Sequence, residues 1–499
     1  MIPAMGLRVR GRLRPRPLHN AALLTAASFA AKGCGLLMLL VSTAVLGKHG
    51  FGDYTAVMSF VGVFAVATDP GLTTLAVRDI AQQPDLLPRY LGNVLSLRLL
   101  LSLLTAAACI ALSAAFAAGL NFDGTVRLGI IIWALALVPN AVTTSASIVF
   151  QATERMATLS LLTTLTALLT AALGSISLLL GGRLIVYVLV MALVNTAISI
   201  AAAILAGRRA TVRPRLEVSW WPSLLRIALP FATLTLLNVL YSRADALLVI
   251  AIKGNGDAGL YGVAYRFVDT LLALAISPFN AAILPAFNRI AAGSRAELHR
   301  LVVSGIRIML VISVPVAVAA TAYPHALLLV FKPEYREAAP ALQWLAWSFP
   351  CFMVLSILYN ALYAVHRAGE VARTFGVALV FNVALNLLLI PHYSYFASAA
   401  LTTASEALNV GLAGWAVYRT IGPLHARAAA LKVGLAGLGM YSVTWALHGL
   451  PPLPGPAIGL PLSLVVYLAV LRITGTLGAA ERGILARVPL AGRYIGYLV

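Results

Sequence analysis

The sequence has little charge, and acidic residues are the scarcest part of it. Charged residues make up 10% of the 499 positions, with 16 Asp and Glu against 36 Lys and Arg. A soluble domain carries about 25% charged residues, so this shortage excludes a typical water-soluble enzyme, a disordered protein and a coiled coil. With 61% hydrophobic residues and a mean hydropathy of +0.93, the chain is predicted to be an integral membrane protein.

Cysteine is also scarce, and the common motifs of nucleotide and metal chemistry are missing. Cys34, Cys109 and Cys351 lie in apolar stretches and form neither a CxxC motif nor an even-numbered set in loops. A disulfide framework is therefore excluded, and small buried side chains are expected. The sequence contains no GxxxxGK[ST] phosphate loop, no HExxH motif and no histidine cluster. These absences argue against a primary pump, a metal site and a cofactor.

Long apolar runs dominate what is present. A membrane-spanning helix needs about 20 predominantly apolar residues, and no connection between the runs is long enough for a soluble domain. The sequence therefore predicts an all-α integral membrane protein with about fourteen transmembrane helices. The predicted spans are 20–46, 54–82, 90–118, 126–151, 157–180, 184–206, 222–252, 258–288, 300–322, 338–364, 371–391, 395–418, 428–448 and 457–475.

Basic residues are distributed unevenly between the two predicted sides of the membrane. With the amino terminus inside, 27 of the 36 basic residues fall on the inner side, 6 on the outer side and 3 within spans. Cytoplasmic loops carry this excess of Lys and Arg, so the net charge of +20 needs no nucleic acid. Both termini are predicted to be cytoplasmic in a cell (inner) membrane. The run from Ala21 to Leu46 is too long for a signal peptide.

A short internal repeat suggests two similar halves. GDYTAVMSF (52–60) matches GLYGVAYRF (259–267), with Gly, Tyr and Phe shared at one offset of 207 residues. Because this offset corresponds to six spans, the repeat predicts two six-helix lobes inserted the same way, with a substrate site between them. The predicted divisions are a basic tail at 1–19, an N-lobe at 20–206, a cytoplasmic linker at 207–221, a C-lobe at 222–418, two further helices within 428–475, and a cytoplasmic tail at 476–499.

Ionisable side chains inside a membrane each cost about 2.5–3.5 kcal/mol, and six stand out within the predicted spans: Lys32, Asp69, Arg243, Asp245, Arg266 and Asp269. The three bases, Lys32, Arg243 and Arg266, are read either as cavity-lining cations or as members of structural salt bridges. Arg243 and Arg266 reach similar depths on consecutive spans. Asp269 lies three residues after Arg266 and shares its helix face.

The carboxylates are candidates for ion coupling. Asp69 precedes a Pro-Gly break in its span and is read either as a proton or sodium site or as the partner of Lys32. Asp245 and Asp269 are the other two candidates. Arg78, at the inner end of the second span, is either an interfacial residue or a further substrate-binding cation.

Three stretches resemble a known family. They are LGKHGFGDYTAVMSFVGVFAVATDPGLTTLAVRDIA (46–81), SRADALLVIAIKGNGDAGLYGVAYRFVDTL (242–271) and LLLVFKPEYREAAPALQWLAWSFP (327–350). Their order and spacing resemble the oligosaccharide (Wzx-type) flippases of the multidrug/oligosaccharidyl-lipid/polysaccharide (MOP) exporter superfamily. Lys332-Pro333 departs from the glycine usual in the third stretch.

The resemblance implies a flippase, not an enzyme, which moves polyprenyl-diphosphate-linked oligosaccharides to the outer leaflet by alternating access. Lys32, Arg243, Arg266 and Arg78 would then bind the diphosphate, while H⁺ or Na⁺ coupling would fall to Asp69, Asp245 or Asp269. Expected partners are the lipid-linked saccharide, membrane lipids and the polymerase and glycosyltransferase machinery, with the protein a monomer. The alternatives are a cation-coupled (MATE-like) multidrug antiporter, a flippase for the peptidoglycan precursor lipid, and a membrane-embedded glycan polymerase or ligase.

Overall fold

The protein is helical throughout the described residues of a computed structural model, which are 17–115, 122–153, 155–208, 216–291, 295–424, 427–447 and 454–476. The predicted tails, apart from 17–19 and Thr476, and residues 209–215 of the predicted linker lie outside these residues. The helices are α1 (Pro17–Ala65), α2 (Leu72–Gln82), α3 (Leu87–Ala115), α4 (Gly124–Leu135), α5 (Leu137–Ala152), α6 (Met156–Leu179), α7 (Leu184–Gly207), α8 (Trp221–Lys253), α9 (Asn255–Ala291), α10 (Arg295–Ala322), α11 (Pro324–Leu327), α12 (Ala339–Ala346), α13 (Ser348–Ala364), α14 (Ala368–Ile421), α15 (Arg427–Ala446) and α16 (Pro454–Ile473).

The fourteen predicted spans are confirmed in the described residues. Ten helical stretches are long and apolar enough to cross a membrane. Two of them, Phe29–Ile80 and Ala368–Ile421, each contain two spans joined through a kink. Helices α9 and α15 provide the remaining two spans.

Two spans are divided where the sequence predicted one continuous helix. The fourth span consists of α4 and α5, and the tenth consists of α12 and α13. Pro139 and Pro350 lie near the start of the second helix in each case. Proline has no N–H and cannot bond the carbonyl four residues earlier, which belongs to the last residue of α4 or α12. Each break therefore follows from a single proline.

Glycines turn the chain between the first and second spans of each half. Gly47 bends α1 with φ 69° and ψ 179°, and Gly254 separates α8 from α9 with φ 87° and ψ −177°. Positive φ is readily available only to glycine. The two positions differ by the 207 residues of the sequence repeat, so the repeat extends to the backbone conformation of the turns.

The helices form two six-span lobes and a C-terminal pair. Helices α1–α7 form the N-lobe and α8–α14 the C-lobe, while α15 and α16 pack against α10. The Tyr467 hydroxyl of α16 donates to the backbone carbonyl of Val311 at 2.9 Å. A Cβ at Gly437 of α15 would lie 2.9 Å from Val314. The thirteenth and fourteenth spans are thus attached to the C-lobe through α10, the ninth span of the chain.

The lobes meet most closely where the second half of α1 crosses α9. A Cβ at Gly52 would lie 1.7 Å from the carbonyl oxygen of Asn255, and one at Gly259 would lie 2.0 Å from that of Lys48. Both contacts are at the end of the bundle that carries the Gly47 and Gly254 turns, the predicted outer end. We call this contact the outer seam.

A second set of contacts joins the lobes at the opposite, predicted inner end. Arg89 of α3 forms an ion pair with Glu217 at 2.7 Å, and its guanidinium lies 4.5 Å from the ring centroid of Trp220. The Asn93 side chain accepts from the backbone N–H of Glu217 at 3.0 Å. The start of α8 is therefore held against the N-lobe, with a cavity between the two ends.

Candidate functional site

A cavity of about 430 Å³ lies between the lobes and contains the three predicted bases. Lys32 enters it from α1, Arg243 from α8 and Arg266 from α9. Asp269 is the one carboxylate among its described lining residues. With all four groups ionised, the cavity carries a net charge of two positive units. We call it the cationic cavity.

Arg266 is held by aromatic rings of the N-lobe. Its guanidinium carbon lies 4.8 Å from the ring centroid of Tyr54 and 5.6 Å from that of Phe51. A guanidinium over an aromatic face is attracted by the ring quadrupole, which orients the group without neutralising it. Because Tyr54 belongs to the first copy of the repeat and Arg266 to the second, this contact also crosses the interface between the lobes.

The other two bases differ in their partners. Lys32 Nζ lies 3.9 Å from a carboxylate oxygen of Asp269, and both side chains are about half-exposed to the cavity. Arg243 has no carboxylate within 4 Å among the residues that the structure describes. A loose pair and an unpaired guanidinium are available to a ligand, which distinguishes this site from a closed structural salt bridge.

Of the two interpretations of Asp69, the one that pairs it with Lys32 is wrong. Asp69 pairs instead with Arg98 of α3, whose guanidinium nitrogen lies 2.7 Å from the carboxylate. Asp69 also accepts from the backbone N–H and the hydroxyl of Thr73. The break at Pro70 and Gly71 turns the start of α2 toward Asp69, so that its carboxylate serves as an acceptor close to the start of that helix.

Arg98 is a buried, paired arginine that the sequence analysis did not identify. Its side chain is about 1% exposed and also donates to Thr73 and Ser145. A buried charge persists only when it is paired and hydrogen-bonded. Arg98 lies near the predicted inner end of its span, and for this reason was counted with the interfacial bases. The pair with Asp69 joins two spans of the N-lobe.

Arg78, the fourth predicted substrate cation, is not part of the cationic cavity. It pairs with its neighbour Asp79 at 2.8 Å, and its side chain is half-exposed. Asp79 in turn accepts from the hydroxyl of Tyr90. The start of α2 packs against α8 of the C-lobe, where a Cβ at Gly71 would lie 2.5 Å from Phe231, but Arg78 does not line the cavity and pairs with its neighbour instead.

Asp245 is buried within the C-lobe and surrounded by donors. Its carboxylate accepts from Thr402 at 2.6 Å, Tyr261 at 2.9 Å and Asn386 at 2.9 Å. These donors come from α9 and from both spans of α14. Among the described residues no Lys or Arg pairs with Asp245, although Arg243 is two positions away, because the two side chains leave α8 in different directions.

A second cavity of about 210 Å³ adjoins the cationic cavity and shares Asn238, Ser242 and Tyr265 with it. Its described lining contains Asp245 and Glu406 and no base. Glu406 was overlooked in the sequence, although a glutamate in an apolar span meets the criterion that selected the other six ionisable residues. We call this second space the acidic chamber.

The comparisons with known proteins agree with this architecture. The family model described as "Polysaccharide biosynthesis protein" matches residues 18–291, and the MatE model matches residues 230–388. An uncharacterized membrane protein of Methanocaldococcus jannaschii is 32% identical over 95 residues, which are 19% of this chain and 18% of that protein. The chain thus spans less than a fifth of the length of this curated relative.

Solved structures of flippases and exporters share the fold. The lipid II flippase MurJ in an inward closed conformation has a TM-score of 0.73 at 13% identity, covering 91% of this chain and 98% of that one. The eukaryotic MATE transporter AtDTX14 has a TM-score of 0.56 at 16% identity, with coverages of 84% and 99%. For the MATE multidrug transporter DinF-BH in complex with R6G, the TM-score is 0.58 at 14% identity, with coverages of 84% and 98%.

The two family-model matches, together with the shared fold, identify the chain as a multi-pass membrane transporter of the MOP superfamily of flippases and exporters. Within that class, the chain belongs to the polysaccharide biosynthesis protein family, whose model matches more than half of its length.

Proposed function

We propose that the protein translocates polyprenyl-diphosphate-linked oligosaccharide units from the cytoplasmic to the outer leaflet of the cell membrane, for cell-surface polysaccharide synthesis. The observation that carries the proposal is the set of Lys32, Arg243 and Arg266 around one cavity with a single carboxylate. A diphosphate offers several anionic oxygens to such a set, and hydrogen bonds between ionised partners are the strong ones. An organic cation, the usual cargo of a multidrug antiporter, would be repelled there.

Alternating access gives the two ends of the molecule distinct roles. The outer seam closes the cavity on one side, and the contacts around Arg89 and Glu217 hold the inner end. A substrate shifts such an equilibrium only by its differential affinity for the two states. The bases come from both lobes, so a bound diphosphate bridges them, and movement of the lobes changes how many bases reach it.

Asp245 is the best supported candidate for ion coupling. Its carboxylate already has three protein donors and no described cationic partner, which leaves an H⁺ or Na⁺ as the missing countercharge. It lines the acidic chamber, next to the cationic cavity. Asp69 is occupied by Arg98, and Asp269 faces Lys32, so both already have cationic partners.

A deletion strain tests the proposal. Loss of the protein should cause an assembled polyprenyl-diphosphate saccharide to accumulate in the cytoplasmic leaflet, and its chemical analysis would identify the cargo. Restoration is expected from the wild-type gene and from Arg419→Ala, a control in which an exposed arginine stacks on Trp415. Arg243→Ala and Arg266→Ala should fail to restore flipping although they insert normally.

Other outcomes would point to the alternatives. Normal lipid-linked saccharides together with sensitivity to cationic drugs would contradict the proposal and favour efflux. Accumulation of the peptidoglycan precursor lipid alone would assign a different head group to the same cavity.

The proposed orientation places both termini in the cytoplasm, since the inner loops carry most of the basic residues. In a background without the native cysteines, Arg183→Cys, at an exposed position of the turn after α6, should react with a membrane-impermeant thiol reagent added outside intact cells. Gln83→Cys should react only after the membrane is permeabilised. The reverse pattern would contradict the orientation.

A further inference from the structure

The acidic chamber contains a buried carboxylate, Glu406, with no basic residue in the described lining. The side chain of Glu406 is 1% exposed and that of Tyr241 is 7% exposed. The Tyr241 hydroxyl faces the Glu406 carboxylate, but neither group forms a hydrogen bond of standard geometry among the described residues. Buried charges are usually paired and hydrogen-bonded, so Glu406 lacks a cationic partner in the described part of the chain.

Aromatic rings make up much of the remaining wall. The rings of Tyr241 and Phe375 are 6.0 Å apart and nearly perpendicular, and Phe375 lies 5.2 Å from Tyr359. Phe352 and Tyr265 also line the space. Ammonium groups are recognised in proteins by aromatic faces of this kind, and the Glu406 carboxylate, which has no basic partner in the described lining, supplies the opposite charge.

The size and position of the chamber restrict the ligand further. A cavity of about 150 Å³ holds one benzene-sized ring, so the 210 Å³ here accommodates one substituted ring. Asn238, Ser242 and Tyr265 line both spaces. A single molecule can therefore place an anionic group among the bases and a neighbouring ring in the acidic chamber.

From this arrangement we propose that the acidic chamber binds a ring that carries a free ammonium group, such as an unacylated amino sugar, next to the diphosphate. The inference rests on the proposed function, since it assigns the neighbouring part of the same substrate. The ammonium donates to Glu406 and lies against the aromatic wall, while the Asn238 side chain serves ring hydroxyls. The preferred cargo is then zwitterionic in its head region rather than uniformly anionic.

Two synthetic ligands test this directly on the full-length protein in lipid nanodiscs. Both are short-chain prenyl diphosphates, one linked to glucosamine and the other to glucose, so they differ by an ammonium in place of a hydroxyl. The wild-type protein should bind the glucosamine ligand about tenfold more tightly. Equal affinities would overturn the inference and leave the proposed function intact, whereas no binding of either ligand would overturn both.

Variants assign the preference to the chamber. Glu406→Gln should bind the two ligands with equal affinity. Glu370→Gln is the matched control, because it lies on the same helix, pairs with Arg373 and lines neither cavity; it should keep the tenfold preference. If Glu406→Gln does not insert, Tyr241→Phe provides a second test and should reduce the preference.

Competition with free glucosamine separates the two possible sources of the amine. If free glucosamine displaces the linked ligand at comparable concentrations, the chamber serves soluble amines as well as lipid-linked ones. Displacement only at much higher concentrations assigns it to the lipid-linked head. A preference for glucosamine that persists unchanged in both Glu406→Gln and Tyr241→Phe would overturn the assignment to this chamber.

Discussion

Gly52 and Gly259 make the same contact in opposite directions across the outer seam. Each faces the backbone carbonyl of a residue four positions before the other glycine, Asn255 for Gly52 and Lys48 for Gly259. The two glycines and the two carbonyl residues are each separated by the 207-residue offset of the repeat. The contact therefore follows the pseudo-symmetry of the lobes, and a side chain at either position has no room while the seam is closed.

Gly52→Ala should open the outer end. A methyl group would have to displace a backbone carbonyl, and overpacking of this kind costs about 1–3 kcal/mol, which shifts a two-state equilibrium about 5- to 150-fold. With Thr270→Cys in the cavity of a protein lacking its native cysteines, an impermeant thiol reagent added outside should react faster in Gly52→Ala. Gly414→Ala, whose Cβ would meet nothing within 4 Å, should react like the parent. Unchanged labelling in Gly52→Ala would contradict the role of the seam.

Removing Arg98 should destabilise the N-lobe. Arg98→Ala leaves Asp69 without its ion-pair partner, and breaking a buried pair in this way costs about 3–5 kcal/mol. Arg373→Ala removes an exposed pair with Glu370, for which about 0.3–0.5 kcal/mol is typical. Thermal unfolding of the purified proteins should separate the two variants clearly, and the double variant Asp69→Leu/Arg98→Leu should recover part of the loss. Similar small shifts in melting temperature for Arg98→Ala and Arg373→Ala would show that the stability of the N-lobe does not depend on the Asp69–Arg98 pair.

Two substitutions in the cationic cavity should change substrate affinity in opposite directions. Arg243→Ala removes a cation without a carboxylate partner and should weaken binding of a prenyl diphosphate about 10- to 100-fold, the equivalent of about 1.5–3 kcal/mol for a charge-assisted hydrogen bond. Asp269→Asn removes the one competing carboxylate and frees Lys32, so it should tighten binding. Titration calorimetry on both variants checks the signs, and weaker binding in Asp269→Asn would contradict a diphosphate site.

Asp245→Asn should uncouple transport from the ion gradient. The amide oxygen can still accept from Thr402 or Tyr261, but the side chain can no longer bind a proton or attract Na⁺. Flipping by the wild-type protein should respond to an imposed H⁺ or Na⁺ gradient in proteoliposomes, and flipping by Asp245→Asn should not. Asp257→Asn is the control, since this carboxylate accepts from Ser394 at the predicted outer end. A full response to the gradient in Asp245→Asn would show that another residue couples transport to the ion.

The spans and the repeat were predictable because each depends on local pattern. Apolar run length is fixed by the thickness of the bilayer, and the offset of 207 residues is visible in the Gly, Tyr and Phe shared by GDYTAVMSF and GLYGVAYRF. The similar depth of Arg243 and Arg266 could also be predicted, because two helices joined by a short turn place residues equally far from the turn at the same depth.

Side-chain partners were harder to predict. Their depth in the membrane made Lys32 and Asp69 plausible partners. The rotation of each helix about its axis, which the sequence does not show, directs Asp69 toward Arg98 instead. The break at Pro70 and Gly71 was visible in the second span, but the pairing of Arg78 with Asp79 outside the cationic cavity depends on the direction in which α2 leaves that break. The roles of Glu406 and of the acidic chamber depend on residues from several spans that meet only in the folded protein.

The most direct test of the central claim is the translocation of a fluorescent prenyl-diphosphate saccharide by the purified protein in proteoliposomes. We predict transfer between leaflets by the wild-type protein and by Arg419→Ala, and none by the double variant Arg243→Ala/Arg266→Ala. The same saccharide on a prenyl chain without phosphate should not be transferred. Equal transfer of the uncharged lipid, or full activity of the double variant, would contradict recognition of the diphosphate by the cationic cavity.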